Sequence, residues 1–167
     1  MSVATTVICA VWHQDPNRDA LVLAHARNLV RQTVPVDVIY VFDGGAKAPA
    51  DLPGRCITVR EPLTIYQSWN VALSLVATPF VMNLNLDDRL APNAIQTMQE
   101  GLGRGSAAAI CGDWKVCYSQ DETDRVEPCH PASDLPFVMA WPLPSGTLTR
   151  LGSGAERRTY GPAVMWR

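Results

Sequence analysis

The sequence predicts an α/β domain with a mostly parallel sheet flanked by helices. Apolar, β-branched runs at residues 3–12 and 36–42 are typical of strands covered on both faces. Segments with helical spacing of apolar residues alternate with the strands, which favours parallel pairing through right-handed crossovers. The 167 residues fit one domain, which buries roughly 70% of its unfolded surface. Residues 1–118 are expected to form the α/β core, and residues 119–167 a loop-rich part of the same domain.

The first half of the core begins with a strand and a helix. The strand at residues 3–12 ends in a polar segment, and the helix after it has Asn17 as its expected N-cap and Pro35 as its stop. His25 belongs to this helix and is expected at its surface. A second strand at residues 36–42 then ends at a turn that accepts positive φ, Asp43-Gly44-Gly45.

A short third strand at residues 56–59 precedes a second helix. Thr64-Ile65-Tyr66-Gln67 has the Thr-x-x-Gln form of a capping box. Asn70 lies in the apolar stripe of this helix, where an unpaired amide would cost about 1 to 3 kcal/mol. Its partners are expected either in a neighbouring site or in the backbone of an adjacent strand. The apolar positions of the stripe are Tyr66, Trp69, Leu73, Val76 and Ala77.

The second half of the core begins with a strand at Phe80 that runs into an acidic segment. Pro92 is expected at the first position of the next helix, and Gly103 at its end. Residues 107–118 predict one more strand, and the pattern becomes irregular and proline-rich from residue 119 onward. The expected buried face of the last helix comprises Ala91, Ile95, Met98 and Leu102.

Composition excludes several classes of function. The net charge is −2, from 14 basic and 16 acidic residues, and no basic stripe is present, so no nucleic-acid partner is expected. No apolar run approaches the ~20 residues of a membrane span, and no signal segment is apparent, so a cytoplasmic protein is expected. The five cysteines are an odd number without a Cys-x-x-Cys pair, which argues against a disulfide scaffold. Cys9, Cys111 and Cys117 are expected to pack in the core, and a zinc site that adds Cys129 and His130 would match no standard spacing.

Three predicted strands end in polar clusters. His13 to Asp15 follow the first strand, Asp43 follows the second, and Asn85, Asp87 and Asp88 follow the fourth. Parallel strands place their carboxyl ends at one edge of a sheet, where ligands bind, and carboxylates there suit Mg²⁺ or Mn²⁺. The alternative is a solvated acidic turn. No glycine-rich phosphate loop is present, so a metal would have to neutralise a diphosphate.

Four motifs follow one another in the core: Gln32-Thr33, the strand ending in Asp43-Gly44-Gly45, Trp69-Asn70-Val71-Ala72 and Asn83-Leu84-Asn85-Leu86-Asp87-Asp88. In order and spacing they resemble the inverting family-2 glycosyltransferases, which have the Rossmann-like GT-A fold and use nucleotide sugars with a divalent cation. The last motif resembles the DxD element of that family.

The resemblance implies a role for each candidate site residue. Asp43 would contact the nucleotide base, and Asn70 would lie on a helix beneath the nucleotide. Asp87 would hold Mn²⁺ or Mg²⁺ with support from Asp88, while Asn85 stands where an Asp usually contacts the ribose. His13 could also line the donor pocket. The implied reaction transfers a sugar, most commonly from UDP, to the hydroxyl of an unknown glycan, lipid or small-molecule acceptor.

The catalytic base stays open. In the family it follows a segment that residues 161–167 resemble, and neither Asp113, Glu156 nor His130 is singled out by its spacing. One alternative is a truncated or inactive module that binds nucleotide sugars, whose uncovered apolar surface could drive self-association into a homo-oligomer. Another is a sugar-phosphate nucleotidyltransferase, although residues 12–18 lack the glycine-rich loop of that class.

Overall fold

A computed structural model describes residues 3–112, 119–125, 150–151, 155–156 and 163–167. The strands are β1 (Thr5–Val11), β2 (Val36–Phe42), β3 (Arg55–Thr58), β4 (Phe80–Asn83), β5 (Ala109–Cys111), β6 (Arg150–Leu151), β7 (Ala155–Glu156) and β8 (Val164–Trp166). The helices are α1 (Arg18–Val30), α2 (Ile65–Leu73), α3 (Ala94–Arg104) and α4 (Gln120–Thr123).

The main sheet has six strands in the order β3-β2-β1-β4-β8-β5. β1 is parallel to β2 and β4, and β2 is parallel to β3. β8 enters antiparallel between β4 and β5, while β6 and β7 form a separate antiparallel pair. The prediction of a mostly parallel α/β sheet is therefore confirmed.

Helices cover the two faces of the sheet, which explains the continuous apolar character of β1 and β2. α1 and α3 pack on one face, where the buried cluster includes Val7, Phe42 and Met82. α2 packs on the other face through Ala72, which meets Ile8, Ile39 and Val41. None of the helices in the described part of the chain is long and apolar enough to span a membrane.

The expected helix boundaries need small corrections. Asn17 is the N-cap of α1, but its side chain makes no capping hydrogen bond. α3 begins at Ala94 rather than Pro92, and it ends at Arg104 with Gly105 as the C-cap residue. Its expected apolar face is confirmed, since Ala91, Ile95, Met98 and Leu102 are all buried.

Trp69 of the expected α2 stripe packs against the cluster on this face, but the expected burial of other stripe residues and the expected exposure of one α1 residue were wrong. Tyr66 and Leu73 are exposed, and Asn70 is exposed as well, because α2 turns the small residues Ser68 and Ala72 toward the sheet. Small side chains let a helix approach a sheet closely, so here they define the buried face instead of the large apolar ones. His25 was expected at the surface but is fully buried.

Candidate functional site

The carboxyl ends of β2, β1 and β4 lie side by side at one edge of the sheet. Val11 of β1 pairs with Phe42 of β2, so His13 and Asp43 follow at the same level. Beyond β4, the amide of Leu84 still donates to the carbonyl of Ile8 at 3.1 Å, so the acidic segment leaves from the other side of β1. β2 and β4 flank β1, so the axes of these two strands lie about 10 Å apart, two strand spacings. The parallel strands thus end at one edge, and the convergence of the polar clusters into one site stays a prediction.

Asp43 is 2% exposed and ties three segments together. Its Oδ1 accepts from the His13 amide at 2.8 Å, while its Oδ2 accepts from the Leu63 amide at 2.9 Å and lies 3.0 Å from His13 Nδ1. Burial alone would raise the pKa of this carboxyl, but the hydrogen bonds from Leu63 and His13 outweigh burial and hold the pKa below its usual range. Only one of about four acceptor positions on the carboxylate is left.

The imidazole of His13 fits against the turn that follows Asp43. Gly44 has φ +58, and an ideal Cβ there would lie 2.6 Å from Cγ of His13. A side chain at position 44 would therefore clash with the ring and also strain the backbone. The Gly44 and Gly45 amides donate to the carbonyls of Glu61 and Val59, which joins this turn to the segment leading to α2. The close packing of the His13 ring therefore explains why the turn after Asp43 has glycine at position 44.

The acidic segment after β4 combines one exposed carboxylate with two buried oxygens. Asp87 is exposed. The side chain of Asn85 hydrogen-bonds to Asp88, yet Asn85 Oδ1 and Asp88 Oδ2 are buried and find no hydrogen-bond partner among the described residues. Burial and the charge of Asp87 raise the pKa of Asp88. Buried oxygens without partners are costly unless a water molecule or an ion satisfies them.

Sequence reasoning missed Arg89, which anchors the acidic segment. Its side chain is 1% exposed, and Nε donates to Asp124 at 2.9 Å. Nη1 donates to the carbonyls of Leu86 and Asp88 at 2.9 and 2.8 Å, while Nη2 is buried and has no partner in the part of the chain that the structure describes. An arginine directly after two acidic residues was a usable signal, because a buried guanidinium can satisfy several carbonyls of one turn.

Helix α1 holds the chain where it leaves the acidic segment. Asn28 donates to the Leu90 carbonyl at 2.8 Å and accepts from the Leu90 amide at 2.9 Å. Gln32 donates to the Ala91 carbonyl at 2.9 Å and accepts from the Ile95 amide at 3.3 Å. The Gln-Thr motif therefore has a local physical role, because Gln32 satisfies backbone groups at the start of α3.

The structure does not bring Asn70 to the other candidate residues. It is exposed on α2, about 8 Å along the helix axis from Ile65, the end that lies near Asp43. Of the other candidates, Asp113, Cys117, Cys129 and His130 lie outside the described residues, and Glu156 is described only as part of β7. Cys9 is buried as expected, and Cys9 and Cys56 are free thiols.

A cavity of about 330 Å³ adjoins His13 at the same edge, lined by His13, Asp15, Pro16, Asn17, Arg18, Asp19 and Ala20. A larger one of about 430 Å³ lies near the amino end of β2 and includes Val36, Asp37 and Pro53. The larger cavity is therefore at the opposite edge of the sheet, away from the acidic segment.

The oxygens of Asn85, Asp87 and Asp88 are of the type that Mg²⁺ and Mn²⁺ prefer. No group of three His, Cys, Asp or Glu side chains that could hold a metal occurs among the residues that the structure describes. The two carboxylates and one amide fit a cation that takes its remaining ligands from water and substrate phosphates, as Mg²⁺ commonly does.

Comparison with known proteins places the fold. No protein-family model and no curated protein matches the sequence. Among solved structures, CMP:2-keto-3-deoxy-manno-octonic acid synthetase complexed with CTP has a TM-score of 0.55 at 11% identity, over 99% of this chain and 74% of that one. The likeness is one of fold. The 1–349 fragment of S. aureus TarS has a TM-score of 0.52 at 13% identity, over 65% of this chain, which spans 35% of that protein. The chain thus shares the α/β fold of these two structures.

Proposed function

We propose that this chain is a glycosyltransferase that binds a nucleoside diphosphate sugar at the carboxyl edge of the sheet and transfers the sugar, with inversion, to an acceptor hydroxyl. The observation that carries the proposal is a pair of buried oxygens, Asn85 Oδ1 and Asp88 Oδ2, which have no partner within the described segments and adjoin in sequence the exposed carboxylate of Asp87. They follow the strand next to β1, at the edge where an α/β sheet binds its ligands.

The residues of the acidic segment would share the work. Asp87 is exposed and could reach a cation directly, while Asp88 and Asn85 would supply oxygens from a turn that Arg89 holds rigid through two carbonyls. The bound cation would neutralise the departing diphosphate. Burial and the charge of Asp87 raise the pKa of Asp88, and a cation bound there would counteract this rise by favouring the ionised carboxylate.

The likeness in fold to a synthetase complexed with CTP supports a nucleotide ligand. Because this structural match covers 99% of the chain, nucleotidyl transfer is a second candidate function. Against this candidate, residues 12–18 contain no glycine, whereas a glycine-rich loop after β1 is expected for that class. A module that only binds nucleotide sugars is the remaining alternative, because no catalytic base has been assigned.

Thermal unfolding with UDP and Mn²⁺ tests the proposal. Ligand at about 100 times its dissociation constant stabilises by about 2.7 kcal/mol. This corresponds to a rise in Tm of roughly 5 to 10 °C for a domain of this size. We expect the rise to disappear with chelator and in Asp87→Ala.

Asp51→Asn is the matched control, because Asp51 is an exposed carboxylate in the loop before β3. Its φ of 59° suits asparagine. This variant should keep the full rise. No rise with any nucleotide would overturn the proposal. Release of pyrophosphate from a nucleoside triphosphate and a sugar acid would instead establish the nucleotidyltransferase.

A further inference from the structure

The guanidinium of Arg89 lies against the turn that carries the acidic segment. It is buried, and its N–H groups donate to two carbonyls of the turn and to the carboxylate of Asp124. The turn is also closed by the Asp88 amide, which donates to the Asn85 carbonyl at 3.1 Å. Arg89 therefore helps to fix the backbone that carries the side chains of Asn85, Asp87 and Asp88.

The ion-pair partner of Arg89 lies outside the acidic segment. Asp124 directly follows α4, 35 positions later in the chain, and its carboxylate accepts from Nε at 2.9 Å. The side chain of Arg89 is 1% exposed and that of Asp124 is 43% exposed. An ion pair with a buried member is screened less by water and salt than a pair at the surface. A segment remote in sequence thus orients the guanidinium beside the acidic turn.

The charge of Arg89 and its hydrogen bonds have opposite effects on a nearby cation. A guanidinium repels a divalent cation, so its charge alone would weaken cation binding. Its planar fork of N–H groups holds several acceptors in fixed positions, whereas a lysine ammonium is a point charge on a flexible stem. A turn fixed in this way would strengthen binding, because the cation meets its ligands already in place. The sign of the change on substitution shows which effect dominates.

We propose that Arg89 is a positioning residue of the cation site, and that its ion pair with Asp124 makes cation binding depend on α4. This inference rests on the proposed function, and it specifies how the oxygens that would hold the cation are kept together. Arg89 acts through the backbone of the turn, which brings the buried oxygens of Asn85 and Asp88 to one place. By linkage, a bound cation would stabilise the position of α4 as much as that position favours the cation.

Binding of Mn²⁺ to the full chain, measured by electron paramagnetic resonance of the free ion with and without UDP, tests the role of Arg89. We expect Arg89→Lys and Arg89→Gln both to weaken Mn²⁺ binding about 10- to 100-fold, the usual loss when a partner that orients metal ligands is removed. Electrostatics alone predicts no change for Arg89→Lys and tighter binding for Arg89→Gln. Arg104→Gln is the matched control, because it removes the same charge from an arginine that is 80% exposed. This variant should bind Mn²⁺ as wild type does.

A double-mutant cycle tests the ion pair. Asp124→Ala should weaken Mn²⁺ binding about threefold to tenfold in wild type and have no effect in Arg89→Gln, because it acts through the guanidinium. An equal loss in both backgrounds would show that Asp124 acts by its own charge, and would overturn the dependence on α4. Asp121→Ala, which removes another exposed carboxylate of α4, should bind as wild type. Circular dichroism verifies each fold, and Arg89→Lys and Asp124→Ala decide the outcome if Arg89→Gln does not fold.

The two proposals fail in different ways. If wild type binds Mn²⁺ and either Arg89 variant binds it as tightly or more tightly, Arg89 does not position the cation site, and the proposed donor site stands. If wild type binds no Mn²⁺ with or without UDP, the proposed function fails and this inference fails with it.

Discussion

His25 shows how the surroundings of one residue set its chemistry. Its ring is fully buried in the cluster under α1, and Nδ1 lies 3.0 Å from the Tyr40 hydroxyl. Burial and the nearby charge of Arg89 lower the pKa of His25 to about 3. The folded protein therefore keeps this side chain neutral over most of the pH range in which a histidine in the unfolded chain takes up a proton.

We expect His25 to make the protein less stable in mild acid. In the unfolded chain a histidine titrates near pH 6.5. Above that pH the ring is neutral in both the folded and the unfolded state, so His25 causes no loss of stability. As the pH falls from about 6.5 toward 3, the unfolded state binds the extra proton, and stability should fall by up to about 1.4 kcal/mol per pH unit. Urea unfolding of wild type and His25→Gln at several pH values measures this contribution.

The difference between the two proteins isolates His25, because carboxylates that titrate in the same range contribute to both. His25→Gln should be less stable than wild type at pH 7, since the Tyr40 hydroxyl loses its contact with the imidazole. The difference in the free energy of unfolding between the two proteins should become smaller as the pH falls. A difference in the free energy of unfolding that stays constant from pH 7 to 4 would contradict the lowered pKa of His25.

At the scale of elements, α2 is stabilised by the capping box that the Thr-x-x-Gln motif predicted. Thr64 Oγ1 accepts from the Gln67 amide at 3.3 Å, and Gln67 Oε1 accepts from the Thr64 amide at 2.8 Å. This start also positions the site, because Leu63, the preceding residue, donates its amide to Asp43.

Removal of the cap should destabilise the protein without disturbing the core. Thr64→Ala is expected to lower the free energy of unfolding by about 1 kcal/mol. Thr97→Ala is the matched control, because Thr97 is also an exposed helical threonine, but its hydroxyl donates to the Asn93 carbonyl within the helix. That change should be close to neutral. Equal losses in the two variants, measured by urea unfolding, would show that the cap has no special role.

Short-range patterns predicted these elements better than they predicted contacts. The cap of α2 depends on residues three apart and was confirmed. The predicted burial of Tyr66 and Leu73 on α2 was wrong, because spacing alone does not show that the sheet contacts Ser68 and Ala72 instead. The burial of His25 depends on Tyr40, fifteen positions later, which no helical pattern reports.

The edge of the sheet that the candidate residues share was predictable, but their hydrogen bonds were not. The topology alone brings His13, Asp43 and the acidic segment to one edge, since they follow neighbouring parallel strands. The hydrogen bonds that the Asp43 carboxylate accepts come from His13, 30 positions earlier, and from Leu63, 20 positions later. Sequence spacing cannot specify such partners, because the turns between them have no fixed geometry.

At the scale of the whole molecule, a strand near the end of the sequence completes the sheet that carries the site. β8 pairs with β4 through Met82 and Met165, and with β5 through Ile110 and Met165. It therefore joins the strand that leads into the acidic segment to the edge of the sheet. A central strand contributed by residues so distant in sequence makes the stability of β4 depend on the folding of the entire domain.

This dependence predicts unequal effects for two neighbouring residues of β8. Met165 is 0% exposed in the cluster shared with α3, whereas Trp166 is 48% exposed. Met165→Ala should cost about 2 to 5 kcal/mol, because it leaves a cavity between β4 and β5. Trp166→Ala should cost about 1 kcal/mol or less, even though it removes more atoms, since half of the ring already contacts solvent. Urea unfolding gives both values. If Trp166→Ala proves the more damaging change, its ring must be covered in the folded protein, and β8 would stabilise the domain through that contact instead of through the core under β4.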